Sequence, residues 1–236
     1  MSELKTRLSD ASASKIHQGP FSQTIDVVCL SHLRWDFGHG RPQHLMVRFA
    51  RTNRVFFIEE PVYLNGLSAR LDISRRGDSL FVITPRLPKG LDPRAAAAVE
   101  RTLVDELVAG RALHDYILWY YTPAALSFTD HLSPLAVVYD CMDEPATGDP
   151  LEARLLDRAD VVFACGQGHY ESLRETHQNV HLFPPGADAF ASDQSCDQTW
   201  SRMSHHVSAA VRDRLSTFAG APKAYAKRAT SAAFDR

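Results

Sequence analysis

Residues 25–51 read IDVVCLSHLRWDFGHGRPQHLMVRFAR. An apolar run, Ile25 to Ser31, leads into a stretch crowded with rings, charges and glycines, and then into a helix-like pattern from Pro42 to Arg51. The apolar residues of VVCL are consecutive and do not alternate with polar ones. That is the pattern of a strand covered by helices on both faces. The segment predicts one strand–loop–helix unit of a parallel sheet, with a polar cluster packed between strand and helix.

The same alternation recurs along the chain. Further strands are predicted over Arg54 to Glu59, Leu80 to Thr84, Tyr116 to Tyr120, Leu135 to Asp140, Asp160 to Cys165 and Val180 to Phe183. Helices are predicted over Pro93 to Ala109, Pro123 to His131, Pro150 to Arg158 and Gly168 to His177. Most of the predicted helices begin at a proline, whose fixed φ and missing N–H suit the first turn. Strands and helices in this order give an α/β fold, a Rossmann-like open parallel sheet with helices on both faces. In such sheets ligands bind beyond the carboxyl ends of the strands, near the reversal of strand order. The cluster after the first strand therefore stands where a binding loop is expected.

Composition narrows the function classes. The chain has 236 residues, is 44% hydrophobic, and carries a formal net charge of −2. That gives apolar material for a sizeable core and no basic field for nucleic acid. The longest apolar runs, YILWYY and LAVVY, are far shorter than the ~18 residues a membrane span needs. Residues 1–22 lack a hydrophobic signal segment and read as a loose tail, so a cytoplasmic location is expected. Cys29, Cys141, Cys165 and Cys196 show no zinc-knuckle or CxxC spacing and read as small buried hydrophobes. Neither clustered metal ligands nor an HExxH, GxSxG or Walker pattern is present, so no metal and no resident cofactor are expected.

Three constellations carry the candidate chemistry. In the first loop, Gly38 and Gly40 permit unusual backbone conformations, Pro42 opens a helix whose amides can face an anion, and His32, Arg34, His39, Arg41 and His44 supply donors. Trp35 and Phe37 offer flat faces of the kind sugars stack on. The second is VVYDCMDE, residues 137–144, where a buried strand ends in Asp140, followed by Asp143 and Glu144. Carboxylates so placed accept hydrogen bonds from hydroxyls or act as a base; a helix cap or an ion pair is the competing reading for Asp143 and Glu144. The third is FFIEEPVY, where Glu59 and Glu60 close the second strand; an acid at that point often meets a ribose hydroxyl in dinucleotide-binding folds. No GxGxxG accompanies it, and GQGHY (166–170) is a weak phosphate motif. WYYTP (119–123) closes another strand with aromatics, which places Tyr121 toward the same cleft.

Taken in order, SHLRWDF with RPQHL, VFFIEEP, LWYYTP, VVYDCMDE and ADVVFACGQGHYES…NVHLFPPGAD resemble bacterial GT-B fold glycosyltransferases of the family 1/4-like kind, over roughly residues 25–190. The resemblance implies an N-terminal, acceptor-side domain over residues 23–190, with His32, Arg34, Trp35, Asp36, Arg41 and Gln43 facing the interdomain cleft and Asp140 at its floor. It implies transfer of a sugar from a nucleotide-sugar to a hydroxyl on a sugar, glycan or lipid-linked acceptor, with peripheral membrane contact compatible. Asp140 or Asp36 would orient the hydroxyl, while Arg34 and Arg41 would meet phosphate; Tyr121 and Asp143 complete the substrate-binding set. Residues 191–236 depart from the family: they contain no Ile, no Glu and a single Leu, and show no donor-domain pattern. They are expected to form a weakly ordered or helical tail, with a helix over Ser201 to Phe218. The expectation is a truncated glycosyltransferase, and the alternative is an acceptor-binding module without transfer. A Rossmann-like enzyme using a free nucleotide is a third reading.

Overall fold

The computed structural model describes residues 25–38, 40–66, 68–142, 149–184 and 192–219. Parallel strands β1 (Asp26–Leu30), β2 (Val55–Ile58), β6 (Tyr116–Tyr120), β7 (Ala136–Asp140) and β8 (Val161–Ala164) are buried at every position. With β3 (Val62–Leu64), β4 (Arg70–Arg75), β5 (Leu80–Pro88) and β9 (Val180–Leu182) they form one nine-stranded sheet, ordered β3-β5-β2-β1-β6-β7-β8-β9. Only β4 runs antiparallel, as a hairpin arm on β5, and Gly77 at φ +93° makes its turn.

Among the described residues six α-helices cover the sheet: α1 (Arg41–Phe49), α2 (Pro93–Gly110), α3 (Leu126–Thr129), α4 (Pro150–Arg158), α5 (Gln167–Arg174) and α6 (Asp193–Ala219). Asp92 and Asp149 cap α2 and α4 by accepting from Ala95 N and Leu151 N at 2.8 and 2.9 Å. Side chains of α1 and α6 (Leu45, Met46, Phe49, Met203, Val207, Val211) pack with Val27, Cys29 and Trp119 on one face. Those of α2 to α5 (Val104, Leu107, Leu126, Leu155, Leu173) pack with Val28, Leu30 and Leu118 on the other. Neighbouring residues of β1 thus serve opposite cores, which is why its apolar residues run consecutively.

Three expectations need correcting. The pattern of residues 62–75 concealed β3 and β4, which are partly exposed, and β4 carries charges on both faces. Over Pro123 to His131 the chain forms a 3-10 turn and a single turn of α3. Last, the described part of the C-terminal segment is a 27-residue helix, Asp193–Ala219: a helical tail was expected, and it starts earlier than the Ser201 read from the sequence. Few large aliphatics suffice there because small residues, Cys196, Ser204, Ser208 and Ala210, bury alongside Met203, Val207 and Val211 and let the helix lie close to the sheet. Polar anchors hold it: Arg48 Nε donates to Asp197 at 2.6 Å and Arg214 Nη1 to Asp160 at 2.9 Å.

Candidate functional site

Strand order reverses between β1 and β6, and the crevice expected at such a point is present. A cavity of about 200 Å³ lies there, lined by Leu30, Ser31, His32, Ile58 to Pro61, Glu100, Thr122 and the start of the following helical turn. Ligand sites commonly span about 300–1,000 Å³, so this one takes a single small ring or one end of a larger ligand. The polar residues that line it are Ser31, His32, Glu59, Glu60, Glu100, Thr122 and Ser127. Among the described residues no lysine or arginine lines it.

The three acids play different parts. Glu59 is buried and accepts from Trp35 N at 2.6 Å and Thr84 Oγ1 at 2.8 Å, with Arg34 Nη1 at 3.4 Å. It therefore fixes the loop that follows β1. Glu60 stands exposed at the mouth. Glu100 reaches in from α2, and burial pushes its carboxyl up to about 7.

Most of the crowded loop is occupied with holding itself. Arg34 also donates to Pro61 O at 3.4 Å. Trp35 packs edge-on against Phe57, ring centroids 5.0 Å apart. Gln43 accepts from Gly40 N at 3.1 Å and donates to Trp35 O at 3.2 Å, tying the start of α1 to the loop. Asp36 is exposed and pairs with Arg76 at 2.6 Å. Gly38 and Gly40 have φ −164° and −103°, so neither uses the left-handed region the glycines were expected to supply. Of this loop's expected ligand-binding residues, His32 lines the cavity.

A second constellation sits farther along the carboxyl edge. Asp140 ends β7 with no exposed surface, and its Oδ1 lies 2.7 Å from Nη2 of Arg41, which is equally buried. Arg41 Nη1 donates to Phe183 O at 2.6 Å, and its Nη2 touches Met203 Sδ of α6 at 3.7 Å. Trp119 and Tyr121 flank the carboxylate from β6 and its end, with Tyr121 Oη, Trp119 Nε1 and Asp140 Oδ2 lacking a hydrogen bond of good geometry among the described residues. Burial pushes the Asp140 carboxyl up to about 6 against the pull of Arg41, Tyr121 and Trp119. Arg41, Tyr121 and Asp140 are thus together, and none of them lines the open cavity. Asp143, Glu144 and His39 lie outside the described residues.

Sequence reasoning passed over Glu100, which looks like any acid on an amphipathic helix; nothing in the spacing of α2 marks it. It also left apart Cys141, Cys165 and His169, whose ligand atoms all lie within 4.8 Å of one another.

Solved structures resemble this architecture. The UDP-forming α,α-trehalose-phosphate synthase of Burkholderia vietnamiensis superposes with a TM-score of 0.50 at 13% identity, covering 72% of this chain and 51% of that one. The fold is that of a GT-B glycosyltransferase domain. Sucrose-phosphate synthase from Thermosynechococcus elongatus (TM-score 0.47, 13% identity, 70% and 52% covered) and the catalytic domain of starch synthase IV from Arabidopsis thaliana (0.47, 10%, 72% and 53%) are further neighbours. The chain spans about half the length of these structures. No protein-family model matches it, and no curated protein does. No helix among the described residues is long and apolar enough to cross a membrane.

Proposed function

We propose that the chain is the acceptor-side domain of a nucleotide-sugar-dependent glycosyltransferase, and that its acceptor is a neutral, hydroxyl-rich compound such as a sugar or glycan end. The observation that carries this reading is the cavity at the β1/β6 reversal of a GT-B-type sheet, walled by hydroxyls, an imidazole and carboxyl groups. Carboxylates and His32 accept hydrogen bonds from sugar hydroxyls. The same carboxylates disfavour a phosphorylated acceptor, because Arg34 is turned onto Glu59 and Arg41 is enclosed with Asp140.

In this mechanism the acceptor hydroxyl lies between His32 and Glu60, and His32 takes its proton as the oxygen bonds to the anomeric carbon of the donor while the bond from that carbon to the nucleoside diphosphate breaks and the diphosphate leaves with the electron pair. Glu59 positions the loop, and Asp140 positions α1 through Arg41. Saturation-transfer NMR on the full chain with glucose, maltose and glucose 6-phosphate tests this. Signals for the neutral sugars that fall in His32→Ala and Glu60→Gln support it. A preference for the phosphate, or neutral-sugar signals that survive both substitutions, overturns it.

A second reading is acceptor binding without transfer. The described residues form one α/β domain, and the match covers 51% of the trehalose-phosphate synthase chain, so binding and transfer are separated by experiment. Incubating the chain with UDP-glucose, ADP-glucose and the bound sugar separates the two: a glycosylated product supports transfer, and binding without product supports the module.

A further inference from the structure

Cys141 follows β7, Cys165 follows β8, and His169 lies in the first turns of α5. The two thiols are buried and the imidazole is partly exposed, at the carboxyl edge of the sheet. Cys141 Sγ is 3.6 Å from His169 Nδ1, and all three ligand atoms lie within 4.8 Å of one another. Around a tetrahedral zinc ion, with Zn–S about 2.3 Å and Zn–N about 2.1 Å, a sulfur and a nitrogen stand about 3.6 Å apart. One pair of ligands therefore already has the separation a shared metal requires, and the third needs a shift of about 1 Å.

We infer that Cys141, Cys165 and His169 form a binding site for a soft or borderline d¹⁰ cation, Zn²⁺ being the commonest of that class. The donor set selects it: two sulfurs and one imidazole suit zinc and exclude magnesium or calcium, which take oxygen ligands. Charge agrees as well. Binding releases one proton from each thiol, and two thiolates with Zn²⁺ make a neutral unit that can remain buried. Glu152, held by a hydrogen bond from Tyr139 Oη at 2.9 Å, is close enough to act electrostatically on His169. Three protein ligands leave a fourth position for water or an external ligand. The ion would link β7, β8 and α5 beside the Asp140 end of β7.

The reduced, chelator-treated full chain is titrated with Co²⁺ and followed by sulfur-to-cobalt charge-transfer absorption, then with Zn²⁺ as competitor. One cobalt per chain with thiolate bands, displaced by one zinc, is expected. The bands should vanish in Cys141→Ser and Cys165→Ser, affinity should fall more than about tenfold in His169→Ala, and Cys196→Ala should bind as the parent does. Native mass spectrometry of the unaltered chain counts zinc without relying on any variant to fold. A folded, reduced chain that takes up no zinc in that spectrum, or thiolate bands that persist in the Cys141→Ser/Cys165→Ser double variant, overturns the site.

Discussion

Two places on the carboxyl edge of one sheet use similar residues in opposite ways. At the β1/β6 reversal, Ser31, His32, Glu60 and Glu100 line an open cavity. Near the end of β7, Arg41 and Asp140 form an ion pair that α1, β9 and α6 enclose. The first presents polar groups along the wall of an open cavity. The second uses them up inside the protein, as a lock that sets where α1 begins. Polarity at a strand end is therefore not enough to mark a site; what matters is whether the group lines an open cavity or is enclosed by neighbouring elements.

The largest effect expected is at the enclosed pair. Removing one partner of a buried ion pair leaves a charge without compensation and costs about 3–5 kcal/mol. Arg41→Ala should lower the stability of the chain by that much in urea unfolding, while a loss under about 1 kcal/mol would show that water reaches the pair and that the two regions are alike.

The next effect is at the cavity. Glu100 titrates at about 7 in the folded chain and near 4.5 when unfolded, so the folded state holds the proton more tightly. Its contribution is most favourable at low pH and is lost as pH rises from about 4.5 to 7, by up to about 3 kcal/mol. Glu100→Gln should flatten that part of the stability–pH curve and raise stability at pH 8; an unchanged curve would mean the cavity is wetter than its lining implies.

A smaller pH effect of the opposite sign comes from β9 and α6. The rings of His181 and His206 stack with centroids 3.5 Å apart, and burial lowers both, His181 to about 4. Their stabilising contribution is whole above about 6.5 and is lost as pH falls toward 4. After allowing for partial exposure it amounts to about 1–2 kcal/mol. His181→Phe should remove most of this acid sensitivity in thermal melts taken between those limits. The smallest effect belongs to Asp36, whose pair with Arg76 is exposed. Asp36→Asn should change stability by less than about 1 kcal/mol and leave sugar binding intact; loss of binding would restore Asp36 to the site.

How much of this was legible in the sequence follows the physics of each signal. Doubly covered strands such as VVCL and VVFA announce themselves by consecutive apolar residues, and prolines mark helix starts, so the parallel sheet and its binding edge could be read directly. The partly exposed β3 and β4 carry no such run. Helix α6 was underestimated because burial through Cys196, Ser204, Ser208 and Ala210 depends on close approach to a sheet that composition does not reveal. The loop after β1 was recognised as special, yet its individual roles depend on partners far away in the chain. Glu59 comes to Trp35 N, and Phe183 O and Met203 come to Arg41. Glu100 and the Cys141–Cys165–His169 group were silent because only the fold brings their members to one place.

The most direct test of the central claim, that the open cavity and not the enclosed pair receives the acceptor, is amide chemical-shift mapping of the full chain titrated with a neutral sugar. Shifts concentrated at Ser31, His32, Glu60 and Thr122, with Arg41, Asp140 and Phe183 unmoved, are predicted. Shifts centred on Gly40, Arg41 and Asp140 would contradict the account and make the buried pair the acceptor site.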